Sequence, residues 1–352
     1  MPEPDDAEAR AALAAWLVDE GADAGLVEAA VRGGRGDHLV SDLVLDRDAV
    51  LSARDVAGRT GLPLDRIEAM FQQLGIAIPD ADAPQFSEAD VVLAGRLAAA
   101  TVQGIVRGPD LLRVIAGSME RIAEAAVAIY VQGPEEALRR RQASAVECAQ
   151  ATRSATELAL DIGTGLGPIF RHHIRQAVAR QRVMQEGVSR RELARLAVGF
   201  VDLVGSTELQ AGLDVDALGD QVSQFEARAF DVTARGGGRL VKFIGDEIMV
   251  AAADPRDACH IVGDLIDAFT EDGTQPRAGL VFGEVLFRHG DYYGPVVNLA
   301  ARLVDAAIPG EALVDESVID AVKEDGVAFE PAGRRMLKGF DAPVGVWSLA
   351  IG

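Results

Sequence analysis

The sequence predicts an α+β protein in which a mostly helical N-terminal domain precedes a C-terminal domain of ferredoxin-like character. Apolar residues recur at helical spacing over about the first 190 residues, with few alternating β-branched runs. Strand-like and helix-like segments alternate from position 196 onward. We therefore expect a helical domain at 1–170, a basic connecting helix at 171–195 and an α+β domain at 196–352.

The N-terminal half contains several helix candidates and one paired motif. The candidates are Ala11–Val31, Asp90–Val106, Asp110–Val131 and Glu135–Leu160. The stretch Leu51–Ile76 reads as two short helices around a Gly-Leu-Pro turn, a pattern typical of a helix-turn-helix. A glycine-punctuated stretch, DIGTGLGPIF, then precedes the basic connector that begins at Arg171.

Composition narrows the classes of partner. The formal net charge is −21, and both halves are acidic, which is not the electrostatic footprint of a nucleic-acid binder. No uncharged apolar run approaches the roughly 18 residues of a membrane helix, and the N-terminus lacks the pattern of a secretory signal. The two cysteines, Cys148 and Cys259, are far apart, which fits a reducing compartment. We expect a cytoplasmic protein with no nucleic-acid partner and no membrane insertion.

The C-terminal domain reads as strand, helix, hairpin, helix, strand, helix, strand. The hairpin is RLVKFI and IMVAA around Gly245-Asp246-Glu247, and Asp254 with Pro255 begins the following helix. The other predicted strands are Ala197–Leu203, Gly279–Phe287, Ala312–Val314 and Val344–Leu349.

Two aspartates stand out in this domain. Asp202 ends an apolar strand and is followed by Gly205, Ser206 and Thr207, whose backbone N–H groups could receive phosphate. Asp246 occupies the hairpin turn, and a hairpin beside the first strand would bring it toward Asp202. Two convergent carboxylates without a local basic partner suit paired Mg²⁺ ions. The alternative for Asp202 alone is a helix cap.

Four further polar residues are candidates for a site. They lie on the hairpin, on the helix after the third strand and in the loop before that helix. Lys242 sits in an apolar strand of a chain that otherwise prefers arginine, so either it binds a ligand or it points into water at a sheet edge. Asn298 and Arg302 share one helix face, and Asp291 lies in the loop before that helix. The alternative is that this Asn/Arg pair is simply exposed on the helix surface and has no functional role.

Three segments together resemble a known family. FVDLVGST, KFIGDEIM and DYYGPVVNLAARL, in this order and spacing, are similar to the signature segments of class III nucleotidyl cyclases. The resemblance covers residues ~196–350 and includes the closing MLKGFDAPVGVWSL segment. It implies an adenylyl cyclase that binds ATP, uses two Mg²⁺ (or Mn²⁺) ions per site and works as a homodimer with two equivalent sites.

The resemblance also assigns roles to individual residues. Asp202 and Asp246 would bind the metal ions, Lys242 and Asp291 would read adenine, and Asn298 would orient the ribose. Arg302 would stabilise charge on the α-phosphate. Lys338, Ser206 and Thr207 would contact phosphates. Guanine reverses the donor and acceptor pattern of adenine, so the Lys242–Asp291 pair favours ATP over GTP.

The two-domain layout resembles bacterial cyclases whose helical N-terminal domain restrains the catalytic dimer and responds to acid. His172 and His173 lie in the basic connector, and histidine gains charge near physiological pH. We therefore hypothesise that this pair is an acid sensor, against the alternative of two idle histidines. Other functional alternatives are a catalytically weak ATP-binding regulator with a DNA-binding helix-turn-helix, and a guanylyl cyclase.

Overall fold

The computed structural model describes residues 4–33, 36–104, 110–184, 193–204, 214–271, 274–288, 290–322 and 326–350. The chain divides into two compact units, Met1–Arg171 and His172–Gly352. Within the described ranges, no helix combines the length and the apolar character that crossing a bilayer requires.

The first unit is helical in all its regular elements that the structure describes. Its early helices are α1 (Pro4–Asp19), α2 (Ala24–Arg32), α3 (Gly36–Leu45), α4 (Ala53–Thr60), α5 (Leu64–Gln73) and α6 (Glu88–Val102). Its later helices are α7 (Asp110–Tyr130), α8 (Glu136–Arg140) and α9 (Ala145–Met184), with a π-helical turn at Val131–Glu135 and the end of α9 passing into the second unit.

Two predicted helices and one glycine-punctuated stretch differ from what the structure shows, and local backbone chemistry explains each difference. Ala11–Val31 is two helices, because Gly21 adopts φ 96° and Asp23 caps α2. Glu135–Leu160 is interrupted where Gln142 adopts φ 53° before α9 begins. The stretch DIGTGLGPIF does not break the chain but lies inside α9, because each residue added to a formed helix gains a backbone hydrogen bond that offsets the low propensity of glycine.

The predicted helix pair at Leu51–Ile76 is confirmed as α4 and α5. Ile67 and Phe71 of α5 are buried, and the Phe71 ring lies 4.5 Å from that of Phe86 between centroids. The arginines of α4 are ion-paired within the unit, Arg54 with Asp82 at 2.7 Å and Arg59 with Glu88. Both pairs neutralise positive charge that a phosphate backbone would otherwise attract.

The second unit is built on one mixed sheet. Its strands are β1 (Leu193–Val204), β2 (Arg239–Ile244), β3 (Glu247–Ala252), β4 (Gln275–Arg288), β5 (Asp291–Tyr293), β6 (Ala312–Val314), β7 (Phe329–Arg335) and β8 (Val344–Leu349). The strand order is β2-β3-β1-β4-β6-β8-β7, and β5 pairs with β4.

Helices cover both faces of this sheet. They are α10 (Val215–Arg235), α11 (Pro255–Glu271), α12 (Pro295–Ala306) and α13 (Glu316–Val322). The succession β1-α10-β2-β3-α11-β4, with strand order β2-β3-β1-β4, is a ferredoxin-like core, which confirms the predicted α+β class.

Alternation along β1 sends its side chains into two cores. Val198 and Phe200 point to the face covered by α12, and Ala197 and Val201 point to the face covered by α10, α11 and α13. Because both faces are buried, β1 reads as a continuous apolar run in which a carboxylate at Asp202 is conspicuous.

Three elements of the second unit that the structure describes were not predicted from the sequence. These are the short strand β5, the helix α13 and the strand β7. The strand β7 contains Pro331 and Gly333, and its pairing with β8 shifts register between Pro331 and Arg334. Both residue types argue against a regular strand, and they are tolerated here because β7 is the edge of the sheet.

Close packing of α12 on β4 depends on Gly279. A Cβ atom at this position would lie 2.4 Å from the carbonyl oxygen of Ala300 and 2.5 Å from the backbone nitrogen of Val304. Both atoms belong to the backbone of α12, which cannot move aside as a flexible side chain can. The absence of a side chain at Gly279 therefore sets the distance between α12 and the sheet.

We expect Gly279→Ala to lower the free energy of unfolding of the second unit by about 2 kcal/mol through overpacking. Urea unfolding followed by Trp347 fluorescence in a Trp16→Phe background measures this, since these are the two tryptophans. The control is Gly263→Ala in α11, where a Cβ meets nothing within 4 Å. We expect Gly263→Ala to raise the free energy of unfolding by up to about 1 kcal/mol. Equal decreases in both variants would show that contact with the backbone of α12 is not the cause.

Candidate active site

The register of β1 against β3 brings two acidic segments together. Asp202 pairs directly with Glu247, the first residue of β3, and Asp246 precedes it in the turn where Gly245 adopts φ 65°. The hairpin thus lies beside β1, as the sequence predicts. Asp202 lies on the same face of β1 as Phe200, because side chains two residues apart share a face.

Four acidic side chains at this end of the sheet form an acidic cluster: Asp202, Asp246, Glu247 and Asp305. The pKa of Glu247 is raised to about 7, first by burial and then by the charges of Asp202, Asp305 and Asp246. A carboxyl group whose ionisation is opposed by three other acids marks a place where a cation is stabilised.

The expectation that the two aspartates lack a local basic partner is wrong. Arg277 on β4 pairs with Asp202 in the β1–β4 register, and its Nε and Nη2 donate to Asp202 Oδ2 at 2.9 and 2.7 Å. Its Nη1 donates to the backbone carbonyl oxygens of Asp305 and Ala307, at 3.2 and 3.4 Å. Sequence reasoning missed Arg277 because the predicted strand began at Gly279. Extending that strand by two residues would have placed an arginine at its start.

A second pair of charged side chains joins β2 to β5. The Lys242 ammonium donates to Asp291 Oδ2 at 2.5 Å, and Asp291 Oδ1 accepts from the backbone N–H of Tyr292 at 2.8 Å. The Lys242 side chain is 42% exposed and that of Asp291 is 22% exposed, so solvent reaches the pair. Lys242 therefore does not simply extend into water at the edge of the sheet.

The predicted residues of α12 lie on its outer side. Arg302 donates to Asp305 Oδ2 at 2.8 Å, one turn further along the helix, and the Asn298 side chain is exposed. Asp305 thus links Arg302 to the acidic cluster, since its charge acts on Glu247 and its carbonyl accepts from Arg277.

The remaining predicted residues are exposed or lie outside the described residues. Lys338 is exposed and follows the buried Leu337. His172 and His173 are both exposed on α9. Ser206 and Thr207 lie outside the described residues.

The donor chemistry of the acidic cluster fits magnesium. Among the residues that the structure describes, no group of three or more His, Cys, Asp or Glu side chains is arranged around a common metal position. Magnesium does not need such a cage, because it is commonly held by one or two carboxylates together with water and substrate phosphates. Asp202 and Asp246 carry carboxylates of this kind, and the neighbouring charges of Glu247 and Asp305 add to the negative field.

Comparison with known proteins gives the family. No family model matches the chain. The uncharacterized protein Rv2212 of Mycobacterium tuberculosis is 34% identical over 347 residues, covering 97% of this chain and 90% of that protein. An adenylate cyclase of Streptomyces coelicolor is 31% identical over 303 residues, covering 82% and 77%. A pH-sensitive adenylate cyclase of M. tuberculosis, MT1302, is 28% identical, covering 95% and 86%.

The crystal structure of the adenylyl cyclase CyaB from P. aeruginosa is 26% identical, with a TM-score of 0.40, and covers 46% of this chain and 95% of that one. An adenylate cyclase of Streptomyces griseus is 32% identical over 303 residues, covering 82% of this chain and 72% of that protein, so both Streptomyces relatives match along most of their own length. The chain belongs to the class III adenylyl and guanylyl cyclase family.

Proposed function

We propose that this protein is an adenylyl cyclase that converts ATP to 3′,5′-cyclic AMP and pyrophosphate at a site shared by two copies of the chain. The observation that carries the choice of ATP is the contact between Lys242 and Asp291. In this contact one strong donor and one strong acceptor lie side by side with their side chains partly exposed, which supports their pairing with a nucleotide base.

Adenine complements this pair. Its six-position amino group can donate to Asp291, and its N1 atom can accept from Lys242. Guanine presents an acceptor at its six-position and a donor at N1, which would face Asp291 and Lys242 in the mismatched sense. Each buried polar group left unpaired costs roughly 1–3 kcal/mol, so the pair discriminates against GTP.

The acidic cluster and Arg302 would serve the chemical step. The ribose 3′-oxygen attacks the α-phosphorus, loses its proton, forms the new O–P bond and expels pyrophosphate. Divalent ions at such a site lower the pKa of the attacking hydroxyl and neutralise charge on the leaving phosphates. Asp202 and Asp246 would hold those ions. Arg302 would leave Asp305 to stabilise charge on the α-phosphate.

The other residues position the nucleotide. Asn298 would orient the ribose, and Lys338, Ser206 and Thr207 would contact the phosphates. Asn298 is exposed on the outer side of α12, which supports its serving a nucleotide held partly by another chain. One chain carries the complete set of residues, so a two-fold homodimer would contain two equivalent sites.

Product analysis tests the proposed reaction. With Mg²⁺ or Mn²⁺ present, we expect the full-length protein to form cyclic AMP from ATP at least about 100-fold more efficiently than cyclic GMP from GTP, because two mismatched polar contacts oppose guanine. Asp246→Asn should abolish product by removing a metal-binding charge. The matched control Asp264→Asn changes an exposed aspartate on α11 and should leave activity intact.

Three outcomes would contradict the proposal in different ways. Preferential formation of cyclic GMP would make the protein a guanylyl cyclase. Binding of ATP without product would make it a nucleotide-binding regulator. Full activity of Asp246→Asn would remove Asp246 from the metal site.

We further propose that the N-terminal unit restrains catalysis and that His172 and His173 relieve this restraint in acid. Both side chains are exposed on α9, at the start of the second unit. A relative with 28% identity is named a pH-sensitive adenylate cyclase. Protonation would add two positive charges to a helix segment that is already rich in arginine, which would favour a different packing of that helix.

Replacing both histidines with glutamine tests the acid sensor. We expect cyclase activity of the wild-type protein to rise as pH falls from 8 to 5.5, and the double variant to lose most of that rise, because glutamine cannot gain charge. The control is His260→Gln, which changes an exposed histidine on α11. An identical pH profile in the double variant and the wild type would exclude His172 and His173 as the sensor.

A further inference from the structure

We infer that Arg277 is the counter-ion of Asp202 in the metal-free protein, and that a divalent cation binds this carboxylate by displacing the Arg277 guanidinium. The inference rests on the proposed function, because it treats Asp202 as a metal ligand. It assigns a function to a residue outside the three segments that carry the family resemblance.

The contact between the two side chains has the geometry of a strong ion pair. Two nitrogen atoms of Arg277 donate to one oxygen of Asp202, at 2.9 and 2.7 Å. The side chains are only 26% and 21% exposed, so solvent screens the pair less than it screens a surface ion pair. A cation that binds Asp202 through Oδ2 must therefore replace two charge-assisted hydrogen bonds.

Electrostatic repulsion prevents the divalent ion and the Arg277 guanidinium from contacting Asp202 Oδ2 at the same time. A divalent ion on Oδ2 would lie within a few ångströms of the guanidinium, where repulsion between a double and a single positive charge is large at the low effective dielectric of a half-buried site. Asp246 and Glu247 lie beside Asp202 in the pairing of β1 with β3, and their carboxylates favour whichever cation is present. Without metal that cation is Arg277.

A supporting role for Arg277 is the physical alternative, and it makes the opposite prediction. If the metal used only Oδ1, Arg277 would hold Oδ2 and orient the ligand, as hydrogen-bonded partners of metal ligands commonly do. Loss of such a partner weakens metal binding. Loss of a competing counter-ion strengthens it.

Displacement would also reach α12. Besides Asp202, Arg277 donates to the carbonyl oxygens of Asp305 and Ala307 at the C-terminal end of that helix. A guanidinium released from Asp202 stays attached to this end alone. Metal binding would then change the contacts of the helix that carries Asn298 and Arg302.

Titration of the full-length protein with Mn²⁺ in the absence of nucleotide tests the inference, with free Mn²⁺ measured by electron paramagnetic resonance. Arg277→Gln keeps a hydrogen-bond donor and removes the charge, and we expect its Kd for Mn²⁺ to be about 10-fold lower than that of the wild type. Arg277→Lys keeps the charge, and we expect a Kd close to that of the wild type.

Arg335→Gln is the matched control. Arg335 is also 26% exposed, pairs with Glu311 at 2.8 Å and donates to the Ala306 carbonyl oxygen at the same end of α12, but it does not touch Asp202. Its replacement should leave the Kd for Mn²⁺ unchanged. A general loosening of the helix end would instead change the Kd in both variants and overturn the inference.

The outcomes separate this inference from the proposed function. An equal or higher Kd in Arg277→Gln overturns the inference, while cyclic AMP formation by the wild-type protein leaves the proposed function standing. Absence of Mn²⁺ binding to every variant overturns the inference and also the metal role of Asp202.

If Arg277→Gln does not fold, a crystal structure of the wild-type protein with Mn²⁺ decides the same point. We expect the Arg277 nitrogen atoms to lie beyond hydrogen-bond distance of Asp202 Oδ2 beside the bound ion. Retention of both hydrogen bonds would overturn the inference.

Discussion

The antiparallel pairing of β1 with β3 decides which acidic side chains can act together. It sets Asp202 opposite Glu247 and therefore next to Asp246 in the preceding turn. A shift of one residue in this register would turn Asp202 toward the apolar core covered by α11, where burial of a carboxylate is costly. The apolar residues of β1 fix the register because both faces of the strand are buried. The acidic cluster is thus a consequence of how the sheet packs.

The helix α12 carries Asn298 and Arg302, which we propose act on the substrate, and its position depends on β4. Gly279 allows the helix to lie directly on β4, and Arg277, two residues earlier on the same strand, donates to its C-terminal carbonyl oxygens. Arg302 is held by Asp305 at that end. Strand β4 therefore controls both the distance of α12 from the sheet and the electrostatic contacts of its last turn.

Much of the second unit could be predicted because its signals are local. The strand before Asp202, the turn at Asp246 and the proline that opens α12 each follow from residues within one short window. Arg277 could not be found in this way, because its partner is 75 residues away in the chain and the pairing depends on strand register. The continuity of α9 through Pro168 was missed for the converse reason, since local propensity argued for a break that the helix as a whole overrides.

The proposed function requires a catalytic site that combines Asp246 of one chain with Asn298 of another. Co-expression of two full-length variants, Asp246→Ala and Asn298→Ala, each of which we expect to be inactive alone, tests this requirement. We expect the mixed dimer to regain one intact site and to form cyclic AMP at a substantial fraction of the wild-type rate per dimer. Mixed dimers that assemble but remain as inactive as the single variants would show that the two chains do not share a site.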